Sequence, residues 1–227
     1  MAKAGEEIYN PVQQDRIIWR KTARETGGEL LGADLIVSPR GGNPLHVHPR
    51  QEERFKAISG TFGVQIGEEQ RWLSEGEAAA VPPGTLHRWW NDSDDEEAQV
   101  SVELRPALNS EVFFETLYGL ARDGKTGRNG VPNLLQLAAM LDGINSDEIY
   151  LASPPMPVQK AFLATLAPLG RLLGYRDHYG KYSPAEDWER SEPPSTASLM
   201  ARVAALLAPL LVVALVLVGR RRRSRGG

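Results

Sequence analysis

The chain has 227 residues, with 26 Lys+Arg against 29 Asp+Glu and a formal net charge of −3. Charged residues make up 24% and hydrophobic residues 41%, a globular balance that excludes a disordered chain. Cysteine is absent, which excludes disulfides, zinc–cysteine sites and a catalytic thiol, so any transition-metal site must rest on His, Asp and Glu. The charge is uneven. Arg220, Arg221, Arg222, Arg223 and Arg225 close the chain, and residues 1–219 without them carry −8, five below the whole. An acidic body is a poor partner for nucleic acid, whereas a basic tail suits membrane topology or anionic lipid.

The N-terminal stretch lacks the apolar core of a signal peptide. From about Arg16 to Pro106 the chain reads as β. The runs Arg16–Arg20, Leu35–Val37, Thr61–Ile66 and Gln99–Leu104 are separated by Gly, Pro and Asp. Phe62, Val64 and Ile66 alternate with Gly63 and Gln65, and Val100, Val102 and Leu104 with Ser101 and Glu103. This period of two describes strands with one buried face, and their number suggests a sandwich or barrel. The acidic run Asp92–Glu97 reads as a solvated turn.

After Pro106 the period lengthens. Asn109 or Ser110 can cap a helix running to Arg122, with Val112, Phe113, Leu117, Leu120 and Ala121 on one side. Pro132–Leu141 and Val158–Leu173 read as two more helices, and 176–198 as a linker. Val203–Gly219 is free of charge. It spans ~25 Å as a helix, and starting at Leu199 lengthens it to cross a bilayer if Arg202 snorkels. The organisation expected is therefore 1–106 barrel, 107–175 helical extension, 176–198 linker, 199–219 transmembrane helix and 220–227 basic tail. The arginines alone would place the barrel outside the cell. The lack of a signal peptide favours a single-pass anchor with the barrel on the cytoplasmic side.

Three of the four histidines fall in two clusters. The first holds His46, His48 and Glu53, then Gly60; the second runs Gly76, Pro82, Gly84, His87 and Asn91. On a strand His46 and His48 share a face, so both imidazoles can reach one ion. Glu53 has the wrong parity for the same strand, but Pro49 permits a break and a new strand on which Glu53, Phe55 and Ala57 share a face. His87 follows a Pro-Pro-Gly turn that can re-aim its strand, with Trp89 and Asn91 on its face. Three imidazoles and a carboxylate suit a divalent first-row metal.

These two stretches resemble the two motifs of the cupin superfamily. The second fits throughout. The first departs at its opening glycine, where Arg40 stands and Gly41 and Gly42 follow. Spacing to Gly60 favours Glu53 over Glu52. The resemblance implies an antiparallel jelly-roll barrel holding Mn, Fe, Ni, Co or Zn on His46, His48, Glu53 and His87. It implies a substrate pocket in the barrel interior, with Phe55 and Trp89 as candidate walls. It also implies a homodimer, and the helices resemble the tails of some bacterial cupin-2 proteins. Two functions follow: a metal-dependent enzyme of dioxygenase or isomerase type acting on a small organic molecule, or a non-catalytic module that binds one. Gly119–Thr126 matches the phosphate-loop pattern GxxxxGK[ST], but its preceding segment has a helical period where that chemistry needs a strand, so no nucleotide site is expected there.

Overall fold

The computed structural model describes residues 2–143 and 148–183. The expected transmembrane helix 199–219, the basic tail and the linker beyond residue 183 lie outside the described residues. Among those described, no helix is long and apolar enough to cross a membrane.

Ten strands precede the first helix: β1 (Glu7–Asn10), β2 (Asp15–Lys21), β3 (Leu31–Val37), β4 (His46–Val47), β5 (Glu52–Ser59), β6 (Phe62–Ile66), β7 (Glu69–Leu73), β8 (Ala78–Val81), β9 (His87–Asn91) and β10 (Ala98–Arg105). α1 (Ser110–Arg122), α2 (Leu134–Gly143), β11 (Tyr150–Leu151) and α3 (Met156–Leu172) follow. The strands form two antiparallel sheets, β1-β2-β3-β10-β5-β8 and β11-β4-β9-β6-β7. The period-two faces read from the sequence point inward: Phe62 and Val64, Val100 and Leu104, and Glu53, Phe55 and Ala57 are all buried. The apolar ones join Trp19, Leu31, Val81 and Leu73 in one core between the sheets. The short β1, β7 and β11 carry too few apolar residues to signal themselves by alternation.

Arg40, where the motif has glycine, adopts φ 59, a left-handed conformation that glycine takes without strain. Its backbone N–H donates to Ser93 O at 3.1 Å, and its guanidinium pairs with Asp94 at 2.6 Å. The acidic turn that looked merely solvated thus anchors this residue. Asn91 clasps the same turn: its amide donates to Val37 O, Ser38 O and Glu96 O, and its Oδ1 accepts from Ser93 N.

The helices are not an appendage. α1 packs on the barrel through Val112, Tyr118, Leu120 and Ala121. Its buried Glu111 carboxylate accepts from Ala2 N and Ala23 N at 3.1 and 3.0 Å. β11 adds a strand beside β4. Residues at the start of the expected linker also pack back: Tyr179 donates to Gln136 Oε1 at 2.5 Å, and the Tyr182 ring lies over Gly119. Gly119–Arg122, in the phosphate-loop match, is the last turn of α1, so that motif has no strand in front of it.

Gly60 turns the chain from β5 in one sheet to β6 in the other at φ 77, and a Cβ there would stand 2.6 Å from Glu97 O and 2.8 Å from Ala98 Cα. Backbone strain and overpacking then add, so Gly60→Ala is expected to destabilise the fold by about 2–4 kcal/mol. Urea denaturation should show a lower midpoint at unchanged slope.

Candidate metal centre

His46 opens β4 and stands directly across the antiparallel ladder from His87, the first residue of β9. Their ring centroids are 4.2 Å apart. His48 lies just past the end of β4, its ring edge-on to His46 at 4.9 Å. The Pro49 bend carries the chain into the other sheet, where alternation along β5 turns Glu53 inward and leaves Glu52 beside Arg54. The strands therefore deliver two imidazoles from one sheet and a carboxylate from the other.

All four side chains are buried, and one potential ligand atom from each lies within 4.8 Å of the others. His46 Nε2 is 3.2 Å from His48 Nε2, His87 Nε2 is 2.8 Å from Glu53 Oε2, and His48 Nε2 is 3.7 Å from that oxygen. The opposite ring nitrogens are tied down. His46 Nδ1 donates to Pro44 O at 2.9 Å, His48 Nδ1 to Glu148 O at 2.8 Å and His87 Nδ1 to Thr85 O at 2.9 Å. A carbonyl can only accept, so each Nδ1 carries the proton and each Nε2 is left facing the shared centre.

This arrangement fits a metal ion. With both Nδ1 protonated, neutral His46 and His48 aim two lone pairs at each other across 3.2 Å inside the protein, an arrangement that a cation between them relieves. Two nitrogens each ~2.1 Å from one ion and at right angles are separated by ~3.0 Å, close to the spacing observed. Ligating histidines ordinarily have the other ring nitrogen fixed in this way.

The electrostatics agree. Burial pushes His46 down to about 4, an effect only partly offset by the Glu53 charge. His48 is lowered chiefly by burial as well. For Glu53 burial alone would raise the carboxyl, but the hydrogen bond from His87 and the three imidazoles together hold it below its usual value. His87 is likewise opposed by burial, yet its hydrogen bond to Glu53 lifts it above the usual histidine value. Without metal the cluster holds a Glu53 carboxylate, a proton on His87 and two neutral imidazoles.

His46, His48 and Glu53 form part of the wall of a cavity of about 240 Å³. The rest is largely apolar, contributed by the inner faces of β2, β3 and β10 and by Phe113, Phe114 and Leu117 of α1. Trp89, a candidate pocket wall, lines this cavity. Phe55 does not: it is 1% exposed and packs against Phe62 with ring centroids 5.5 Å apart. Sharing a strand face with Glu53 places Phe55 two residues deeper, in the packed core and not at the cavity wall. The α1 aromatics, the Asp15–Tyr118 pair and the Glu148 carbonyl escaped sequence reasoning, because each meets the barrel across a long separation in the chain.

The Cupin_2 cupin-domain family matches residues 34–103. The probable oxidoreductase virH of Hypocrea virens is 33% identical over 187 residues, which cover 77% of this chain and 81% of that protein. An oxidoreductase of Arthrobotrys oligospora is 30% identical over 171 residues, covering 69% of this chain and 65% of its own. This chain belongs to the cupin superfamily. Among solved structures, an RmlC-like cupin from Shewanella frigidimarina shares 17% identity over 46% of this chain and 87% of its own, with a TM-score of 0.41. Both of these oxidoreductase relatives are fungal, so they lend no support to the bacterial likeness of the helices.

The protonation pattern sets how a metal enters. His46 and His48 are already neutral and Glu53 already ionised, so only the His87 proton has to leave. Below the raised pKa of His87, Co(II) loading of metal-free protein is expected to release about one proton per ion. The release should decline toward zero as pH rises past that value. Calorimetry in two buffers of different ionisation enthalpy reads it, and release of two or more protons at pH 6.5 would contradict the assignment.

Proposed function

We propose that this cupin is a metal-dependent oxidoreductase acting on a small, largely apolar organic molecule bound in the 240 Å³ cavity. The observation that carries this reading is that three of the four candidate ligand residues form part of the cavity wall, so a bound molecule lies against the metal position. The oxidoreductase names of the relatives favour redox chemistry, of which dioxygenation is one form, over isomerisation. The donor set admits Mn, Fe, Ni, Co or Zn, and a redox-active ion with open positions would supply Lewis-acid polarisation and electron transfer.

The chain's own residues do the rest. His46, His48, Glu53 and His87 hold the ion, and the three carbonyl-anchored Nδ1 groups keep the imidazoles from turning away. Trp89 and the α1 aromatics confine the substrate and keep water out, which strengthens every charge interaction in the site. Glu53 lines the cavity and would be the group to take up a substrate proton.

The test begins with metal analysis of the full-length protein. About one equivalent is expected, with His46→Ala and His87→Ala losing at least tenfold in affinity. Oxygen uptake with small apolar substrates should follow metal occupancy. Stoichiometric metal with ligand binding but no turnover would favour the non-catalytic binding module instead.

The reading extends to localisation: the apolar segment 199–219 tethers the protein to a membrane with the barrel on the cytoplasmic side. Carbonate extraction is expected to leave the full chain in the membrane fraction and to release a chain ending at residue 198. Recovery of both in the soluble fraction would remove the anchor.

A further inference from the structure

A second polar feature opens onto the same cavity from a different wall. Asp15, on the inward face of β2, is 8% exposed, and Tyr118 of α1 is 3% exposed. Tyr118 OH donates to Asp15 Oδ2 at 2.8 Å. Asp15 Oδ1 is buried and has no hydrogen-bond partner among the described residues, and the same holds for Trp19 Nε1 on the same strand face. Both residues line the cavity. Two side chains of one largely apolar chamber thus carry a buried polar atom without a partner, and leaving such groups bare is destabilising.

The chemistry narrows what can fill the vacant hydrogen bonds. A carboxylate oxygen accepts only, whereas the neutral acid also donates. Burial raises the Asp15 carboxyl above its usual value, partly offset by Tyr118, so a full charge is disfavoured there and a neutral ligand suits it better than a cation. Tyr118 is held well above the usual tyrosine value, chiefly by burial and then by Asp15, and it therefore stays a donor. A hydroxyl suits Asp15 in either state, donating to Oδ1 of the carboxylate or accepting from Oδ1–H of the neutral acid, because Oδ2 already accepts from Tyr118. Size sets the rest: an apolar cavity of ~150 Å³ holds benzene, so about 240 Å³ with aromatic walls takes one substituted ring.

We propose that Asp15, positioned by Tyr118, is a hydroxyl anchor, and that the substrate is a neutral, hydroxylated single-ring molecule whose ring lies among Trp89, Phe113 and Phe114. The anchor fixes which end of the ring enters and so which edge meets the metal position. This proposal rests on the reading of the cavity as the substrate pocket.

The test compares 4-methylphenol with toluene, which differs by the hydroxyl alone, on full-length metal-loaded protein. Binding is followed by calorimetry and by fluorescence of the cavity tryptophans. Wild type is expected to prefer 4-methylphenol by at least tenfold. Asp15→Leu should erase the preference while keeping toluene affinity within about threefold and metal content unchanged. Tyr118→Phe, which leaves the carboxyl in place but frees it to turn, should lower the preference severalfold without altering toluene affinity. If Asp15→Leu does not fold, the Tyr118→Phe result decides.

A preference that survives in Asp15→Leu overturns the anchor, as does equal binding of the two probes by wild type, or binding of neither. The two proposals fail separately. Metal-dependent turnover with a preference indifferent to Asp15 and Tyr118 sinks the anchor alone. An Asp15-dependent preference in a protein that never turns over sinks the oxidoreductase reading alone.

Discussion

Two neutral imidazoles with their lone pairs turned toward each other at 3.2 Å are the constraint on which the rest of this site depends. Imidazoles in water would rotate apart. Here each is clamped at Nδ1 by a backbone carbonyl and walled in by apolar neighbours. His87 and Glu53 escape the same conflict by sharing a proton at 2.8 Å. That solution is open to one pair only, since burial makes further protonation of His46 and His48 unfavourable. A divalent ion would relieve both contacts at once. Because the residues come from both sheets, such an ion would also tie the two sheets together.

The segment after the barrel completes that centre. Glu148 supplies the carbonyl that orients His48, and its carboxylate, pushed up to about 7 by burial against the opposing effect of Asn109, accepts from the Asn109 amide. β11 lies against β4 with Leu151 opposite His46. Buried Gln51, in the bend between His48 and Glu53, donates to Pro106 O, Ala107 O and Ser110 Oγ. The bend that carries the chain between ligands is thereby fastened to the start of α1. A division between barrel and extension at residue 106 describes the change of period along the chain, but the orientation of the site draws on both sides of it.

Much of the centre was legible because it obeys local rules. The parity of His46 and His48, the break at Pro49 and the re-aiming turn before His87 each act over a few residues, and each is where spacing placed it. Spacing also separated Glu53 from Glu52, and the structure turns the first inward and the second toward Arg54. The three helices fall within two residues of their expected bounds because their apolar period is strong. Depth within a face was not legible. Phe55 and Trp89 had equal claims on parity, and only the three-dimensional course of β5 and β9 puts one in the core and the other at the cavity. Contacts across long separations, such as Tyr118 with Asp15 or His48 with Glu148, leave no periodic trace.

The cavity draws its walls from two sources that answer to different demands. The barrel wall carries the metal position, where small displacements break the shared geometry of four side chains. The α1 wall carries Phe113, Phe114, Leu117 and Tyr118, none of which touches a candidate ligand through any hydrogen bond of the centre. α1 is held in place at its first turn: Glu111 clamps two backbone amides, and Gln51 reaches Ser110. Substitutions at its cavity-facing positions can therefore reshape the chamber while leaving both the helix position and the metal centre intact. On the proposed function, the barrel would carry the metal position and part of the substrate wall, and α1 the rest of that wall.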